Sequence, residues 1–273
     1  MSAVDPVVQD RRTTADASGP KLELQVFGPM FGLPDPSPFC AKAIVLLKLS
    51  GLAFETVKFD MVKAPKGKAP VLMIDGEPLP DSTFIRFALE DRFGVDFDGA
   101  MSAKDKGVAW AAEKMAEDHL YYVIMSERWV DDANFQTGPA QYFDEIPQPI
   151  RPVIRTMVRR RVRKTLHAQG FGRHTIAEQT RLAVRGYEAI GEILSDRPWL
   201  GGEAPCGSDA SVWASVACIM ADSFGSPTRD AIQANTTLKS YRDRGMKIWF
   251  PEFAKRLSIE SSCGFGWTAG RQR

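Results

Sequence analysis

The sequence predicts two domains: a small α/β domain with the element order βαβ-ββα, followed by an all-helical domain. At 273 residues the chain is long enough to bury two cores. Alternation of apolar and polar side chains, which is typical of strands, occurs only before residue 80, and from Met101 onward apolar residues recur at helical spacing. We therefore expect an α/β domain at 21–97 and a helical domain at 101–255, with loose tails at 1–20 and 256–273.

The first three elements form a predicted βαβ unit. Leu22–Phe27 alternates and predicts the first strand. Ser37 at an N-cap position and Pro38 at the first helical position predict a helix that ends at Gly51. Phe54–Phe59 alternates again, and its connection through a helix predicts that it pairs in parallel with the first strand.

A hairpin and a helix complete the predicted α/β domain. Val71–Ile74 is a short apolar run, and Asp75-Gly76-Glu77 is a strong turn signal before Pro78-Leu79, so strands three and four should be antiparallel. Asp81-Ser82 is a capping pair that predicts a helix extending to about Arg92.

The second half contains long helical patterns separated by Gly/Pro-rich breaks. The predicted helices are Ala103–Val130, Ile150–His167, Thr175–Leu194, Ser208–Ala221 and Thr237–Phe250. Ser208 is predicted to cap the fourth of them, because a hydroxyl is absent at the position of Cys206.

Charge and cysteine usage exclude several classes of protein. Lys plus Arg (35) nearly balances Asp plus Glu (34), which gives no reason to expect nucleic acid as a partner. The four cysteines and three histidines lack metal-site spacing, so no metal is expected.

Ala43–Leu47 is the most apolar short run and is far too short for a membrane span, and the first 20 residues lack a signal-peptide pattern. A cytoplasmic location is the expectation.

Ordered motifs in both halves carry a family resemblance. In the first half they are Ser37-Pro38-Phe39-Cys40, the run from Pro65 to Leu72, and Asp81-Ser82-Thr83. In the second half they are Asp118-His119-Leu120-Tyr121, the run Arg128 to Asn134, Gly170 to His174, and Trp199-Leu200-Gly201-Gly202. The set, from Leu22 to Phe250, resembles glutathione S-transferases, and within them the bacterial branch related to metaxin and failed-axon-connections proteins. This resemblance implies a thioredoxin-like N-terminal domain and a glutathione S-transferase C-terminal domain.

The resemblance also implies a glutathione site. Ala69 matches the residue before a cis-proline, Pro70, whose backbone pairs with the cysteinyl part of glutathione. Asp81 and Ser82 match the acidic-Ser pair that holds the γ-glutamyl end at a helix N-terminus. Lys68, and with it Lys66, is a candidate for the glycyl carboxylate. Capping of a helix is the competing interpretation for Asp81 and Ser82, and simple solvation is the competing interpretation for the two lysines.

Ser37 and Cys40 are the candidate catalytic residues. In related classes a Ser at this position donates a hydrogen bond to the glutathione thiol and favours its thiolate. Cys40 matches only the second cysteine of a C-x-x-C motif, so we expect conjugation of glutathione rather than dithiol exchange. Capping of the helix competes for the Ser37 hydroxyl, and burial as a small apolar residue competes for Cys40.

These expectations leave three functions open. The first is an enzyme that adds glutathione to a small hydrophobic electrophile held in the interdomain cleft, where Phe31, Trp110, Tyr121 and Tyr122 are candidate lining residues. The second is a non-catalytic adaptor of the metaxin kind, and the third is a glutathione-dependent thiol reductase that uses Cys40. A homodimer is expected by analogy with the family.

One basic stretch needs a separate interpretation. It carries Arg151, Arg155, Arg159, Arg160, Arg161, Arg163 and Lys164. Apolar residues recur at helical spacing beneath these cations, which predicts an amphipathic helix with a solvated face paired to nearby acidic residues such as Asp132 and Asp144. Attraction of an anionic substrate by some of the arginines is the alternative.

Overall fold

A four-stranded mixed sheet forms the N-terminal half. The structure is a computed structural model that describes residues 19–61 and 63–253, so the predicted tails lie outside the described residues, apart from Gly19 and Pro20. The strands are β1 (Leu22–Val26), β2 (Glu55–Lys58), β3 (Val71–Ile74) and β4 (Glu77–Pro80), in the order β2-β1-β3-β4. β1 pairs in parallel with β2, and β3 is antiparallel to both β1 and β4, which confirms the predicted βαβ unit and hairpin.

Two helices pack with this sheet. Helix α1 (Pro38–Ser50) begins after Ser37 and ends at Gly51, whose φ of 71° is the left-handed conformation that glycine adopts readily. Helix α2 (Ser82–Phe93) begins after Asp81. Every residue of α1 from Cys40 to Leu47 is buried, because the sheet covers one side of the helix and the helical half covers the other.

The C-terminal half is helical throughout its described part. A π-helical turn (Ala116–Leu120) and two 3-10 turns (Pro139–Phe143 and Phe171–Arg173) lie between its α-helices. Those helices are α3 (Ala103–Met115), α4 (Tyr121–Trp129), α5 (Asp132–Thr137), α6 (Ile150–Gln169), α7 (Ile176–Leu194), α8 (Gly207–Ile219), α9 (Pro227–Ile232) and α10 (Thr236–Trp249). The five long helices of the prediction are therefore present, with α3 and α4 covering the first.

Two details of the prediction are wrong. The helix predicted over Ala103–Val130 is interrupted by the π turn, in which the Tyr121 N–H donates to the Ala116 carbonyl, five residues back. Ser208 does not cap α8: its hydroxyl donates to Glu113 Oε2 at 2.8 Å. The start of α8 is held instead by Asp209, whose carboxylate accepts hydrogen bonds from the Cys206 and Leu200 N–H groups at 2.8 and 2.9 Å.

Buried charges join the two halves. Lys42 of α1 is fully buried, and its ammonium contacts the carboxylates of Glu113 at 2.7 Å and Glu117 at 2.5 Å in the helical half. Arg86 of α2 also pairs with Glu113, at 3.0 Å. These ion pairs cross the boundary between the two halves, and removal of one partner would leave a buried charge uncompensated.

Candidate functional site

A cavity of about 540 Å³ lies between the two halves and collects the predicted glutathione-site residues. One wall comes from the α/β half and includes Ser37, Ala69 and Asp81, and the other comes from α3, the π turn and α4. Lys68, Pro70 and Ser82 complete the predicted set that lines it. Lys66 is not among the lining residues; its ammonium lies over the Phe84 ring, 4.8 Å from the centroid.

Ala69 presents free backbone groups to this cavity. The Ala69–Pro70 peptide bond is cis, as the resemblance implies, and β3 begins only at Val71. In residues 19–61 and 63–253, neither the N–H nor the C=O of Ala69 has a hydrogen-bond partner. Because partly buried backbone groups normally have partners, this position is suited to pairing with an extended peptide.

Asp81 is held in an unusual backbone conformation at the start of α2. Its φ of 89° is rarely adopted by residues other than glycine, and such strain is concentrated at functional sites. The carboxylate accepts from the Thr83 N–H at 3.1 Å and from the Lys68 ammonium at 2.9 Å. Burial alone would raise the pKa of Asp81, but these two partners outweigh it and lower that pKa. The group is therefore an anion, suited to receiving an ammonium.

Ser37 lies at the junction of two cavities, and its hydroxyl is only weakly engaged. Its Oγ accepts from the Cys40 N–H at 3.4 Å, which is longer than an ordinary N–H···O bond. The side chain is half-buried and lines both the interdomain cavity and a neighbouring cavity of about 150 Å³. The hydroxyl proton is thus available to a ligand while Oγ retains a weak capping role.

A buried carboxylate fixes the backbone of Ser37. Asp35 is fully buried; its Oδ1 accepts from the Ser37 N–H at 2.8 Å and its Oδ2 from the Gly28 N–H at 2.9 Å. Burial raises the pKa of Asp35 to about 7, although the two N–H donors oppose this. Sequence reasoning missed Asp35, because its position in a Gly/Pro-rich loop gives no signal of burial.

Cys40 lies outside both cavities. It is fully buried, and desolvation together with the nearby Asp35 charge raises the pKa of its thiol. A buried neutral thiol is a poor nucleophile, so the environment matches the small apolar role and not the catalytic one proposed from the sequence.

The smaller cavity is aromatic and adjoins the larger one at Ser37. Phe31, Tyr121, Trp129 and Tyr142 contribute to its lining, and Tyr121 also lines the larger cavity. Burial raises the pKa of Tyr121 to about 12, so its phenol remains a hydrogen-bond donor at neutral pH. Of the other candidates for the cleft, Tyr122 lines the larger cavity.

Trp110 was predicted for the cleft, and this prediction is wrong. Its ring is 39% exposed on the outer side of α3 and stacks on Phe87, 6.3 Å between centroids. Helical spacing alone does not distinguish the face of α3 that meets the cleft from the face that meets solvent.

The wall opposite Ala69 carries charges that the sequence did not reveal. Lys114 and Glu117 both line the larger cavity, and their side chains contact each other at 2.5 Å. Glu117 also contacts the buried Lys42. Lys114 and Glu117 are an i,i+3 pair, but Lys42 lies 75 residues before Glu117, so no local motif marks the link to α1.

Two other features are absent from the described residues. There, no group of three or more His, Cys, Asp or Glu side chains is arranged to hold a metal ion. No helix in residues 19–61 and 63–253 is both long and apolar enough to cross a membrane.

Comparison with known proteins gives the same family for both halves. The glutathione S-transferase N-terminal domain family matches residues 38–134, and the glutathione S-transferase C-terminal domain family matches residues 183–245. The isoprene-epoxide–glutathione S-transferase of Rhodococcus sp. (strain AD45) is 30% identical over 209 residues, which are 71% of this chain and 85% of that protein. Failed axon connections of Drosophila melanogaster is 27% identical over 192 residues, 67% of this chain and 46% of that protein. Metaxin-3 of Xenopus laevis is 26% identical over 116 residues, 42% of this chain and 37% of that protein.

Solved structures agree on the fold. The beta-etherase LigF of Sphingobium sp. strain SYK-6 superposes with a TM-score of 0.60 at 19% identity, over 86% of this chain and 99% of that one. Two kinds of observation lead to one conclusion. The fold is a mixed sheet with its helices followed by a helical half, and a 30% identical relative is covered over most of its length. This chain belongs to the glutathione S-transferase family, in a branch that includes metaxin-like relatives.

Proposed function

We propose that this protein is a glutathione transferase that adds glutathione to a small, apolar electrophile. The observation that carries the proposal is the position of Ser37, a weakly engaged hydroxyl at the junction of a peptide-sized polar cavity and an aromatic one. The reaction requires two bound substrates. The larger cavity suits the charged tripeptide, and the smaller cavity suits the apolar acceptor.

Glutathione has a complementary group for each feature of the larger cavity. Its cysteinyl backbone pairs with the free N–H and C=O of Ala69. Its γ-glutamyl ammonium meets Asp81, and its γ-glutamyl carboxylate meets the N-terminus of α2 at Ser82. Lys68 exchanges its pairing with Asp81 for the glycyl carboxylate. The thiol then lies beside Ser37.

The chemistry follows from a hydrogen bond to sulfur. The Ser37 hydroxyl donates a hydrogen bond to the glutathione sulfur and stabilises the thiolate that forms when the thiol proton passes to solvent, and the thiolate attacks the electrophile. With an epoxide, the substrate type in the name of the Rhodococcus relative, a C–S bond forms and a C–O bond breaks. The resulting alkoxide takes up a proton from solvent, and the neutral phenol of Tyr121 lies on the same junction to stabilise the alkoxide charge by a hydrogen bond.

Substitution of Ser37 tests this role. Ser37→Ala removes the donor, and we expect kcat/KM for an epoxide to fall about 10- to 100-fold, with a higher apparent pKa of the bound thiol in the pH–rate profile. Ser37→Thr should restore much of the activity, whereas Cys40→Ala should leave it unchanged. Loss of the cap costs only about 1 kcal/mol, so a folded but inactive Ser37→Ala protein separates catalysis from capping. Full activity in Ser37→Ala would refute the assignment.

The metaxin-like relatives favour a second candidate, a non-catalytic binding protein. Retention on immobilised glutathione followed by an epoxide conjugation assay distinguishes the two candidates. Retention without turnover of any epoxide, halide or enone would favour the binding protein.

The active form in this proposal is a homodimer. Phe84, Phe87 and Trp110 are 51%, 38% and 39% exposed, and they form one aromatic patch across α2 and α3. Contiguous exposed apolar side chains of this kind are typical of protein–protein contact sites. Trp110→Glu should convert the dimer to a monomer in light scattering coupled to size exclusion. Ile248→Glu, at an exposed apolar residue of α10, is the control and should leave the dimer intact.

A further inference from the structure

An arginine-lined groove of about 450 Å³ runs along α6, separate from the two cavities described above. It shares no lining residue with either of them, and no carboxylate lines it. Phe135, Gln136, Gln148, Pro152 and Thr156 complete the lining around Arg151, Arg155, Arg159, Arg160 and Arg163.

Four of these arginines form a regular row along α6: Arg151, Arg155, Arg159 and Arg163. They follow each other at intervals of four residues, so each step is about 6 Å along the helix axis. Arg151 Nε donates to the Ile146 carbonyl, Arg155 Nη2 to the Ala140 carbonyl and Arg159 Nε to the Trp129 carbonyl, each at 2.8 Å. Guanidinium groups held in this way lose little further freedom when they bind a ligand.

The acidic residues nearby are too few to neutralise the row. Asp144 forms ion pairs with both Arg151 and Arg155, and Asp132 forms ion pairs with both Arg159 and Arg163. Both carboxylates are more than half exposed, so these pairs are weak. Arg160 has no ion pair in the described part of the chain, which leaves three positive charges of the five uncompensated. The salt-bridged face predicted from the sequence is thus only partly present.

One donor in the row has no partner. Arg155 Nε is buried and makes no hydrogen bond within the described residues. A buried donor without a partner is costly in a folded protein, and the Arg155 guanidinium to which it belongs lines the groove.

We propose that this groove binds an anion that carries phosphate groups. Guanidinium presents a planar fork of donors that matches phosphate oxygens, and the row offers several such forks at fixed spacing. Gln136 and Gln148 add neutral donors, and the volume suits a small ligand. Val153 and Met157 are exposed on the same helix, so the phosphate belongs either to a soluble molecule or to the headgroup of an anionic lipid beside these apolar side chains.

Two neighbouring arginines provide a matched test. Arg160 lines the groove, whereas Arg161 is exposed and does not line it, and neither forms an ion pair within 19–61 and 63–253. Calorimetric titration of the full chain with sodium pyrophosphate at constant ionic strength should show binding. Arg160→Gln should weaken it about tenfold, as expected for loss of one charged hydrogen bond, and Arg161→Gln should change it less than about twofold.

A vesicle arm separates the two sources of phosphate. Flotation with phosphatidylglycerol vesicles, against phosphatidylcholine vesicles as the uncharged reference, is compared for the same three proteins. Binding to pyrophosphate alone indicates a soluble ligand, and vesicle binding that Arg160→Gln weakens more than Arg161→Gln indicates a headgroup. Absence of both kinds of binding, or equal losses in the two variants, would overturn the proposal.

Discussion

Asp35 should make the stability of this protein depend on pH over a range in which ordinary carboxylates do not titrate. Its two oxygens accept the Gly28 and Ser37 N–H groups, and burial raises its pKa to about 7. In the unfolded chain the same group has the ordinary aspartate pKa of about 4. Between these values the folded state holds a proton that the unfolded state has released, so the free energy of unfolding falls as pH rises.

The magnitude follows from the two pKa values. Each pH unit in this range changes the free energy of unfolding by about 1.4 kcal/mol, and the change flattens as pH approaches 7, which gives a loss of about 2 kcal/mol between pH 5 and pH 7. Asp35→Asn cannot ionise, so this contribution disappears. We therefore expect the unfolding free energy of the wild type minus that of Asp35→Asn to fall by about 2 kcal/mol over this interval.

Urea unfolding followed by tryptophan fluorescence measures both curves, since the chain contains six tryptophans. All other titrating groups are common to the two proteins and cancel in the difference. Asp196→Asn removes an exposed carboxylate and serves as the control, whose curve should run parallel to that of the wild type. A constant difference between wild type and Asp35→Asn from pH 5 to pH 7 would show that Asp35 is not a buried, proton-binding carboxyl in the folded state.

Two further predictions concern packing between and within the halves. Lys42→Met leaves two buried carboxylates without their shared ammonium and should cost about 3–5 kcal/mol in urea unfolding, whereas Lys247→Met, at an exposed position, should cost less than about 0.5 kcal/mol. A small effect of Lys42→Met would mean that water reaches this network. Gly245→Ala places a Cβ 2.2 Å from Trp213 Nε1 and should lower stability by about 1–3 kcal/mol, while Gly107→Ala, with nothing within 4 Å, should raise it by up to about 1 kcal/mol. Equal effects at the two glycines would contradict the close packing at Trp213.

Local signals account for the parts of the fold that were predicted. Ser37, Pro38 and Gly51 mark both ends of α1 because capping and left-handed backbone depend on the residue type at one position. The turn at Asp75-Gly76 likewise sets the hairpin. The residues predicted for the glutathione site also come from local signals, since Ala69-Pro70 belongs to a short motif beside a strand, and they line one cavity.

The residues that escaped prediction depend on distant partners. Lys42 has the sequence pattern of a solvated lysine, and only the docking of the α/β half on the helical half brings Glu113 to it, 71 residues away. The π turn near Glu117 differs from an α-helix by one residue, which hydrophobic periodicity does not detect. Asp35 belongs to a loop whose burial results from the closure of the helical half over it, because Arg128 of α4 donates to the adjacent Pro36 carbonyl at 2.7 Å.

The charge network around Lys42 also limits which homologous half could replace either half of this protein. Both carboxylates that neutralise this lysine come from the helical half, and both are largely shielded from water. An isolated α/β half would expose α1 with an uncompensated ammonium in an apolar surface, and an isolated helical half would expose Glu113 and Glu117 with Lys114 as the cation beside them. Grafting either half onto that of a distant homologue therefore requires the other half to carry the complementary charge at these positions.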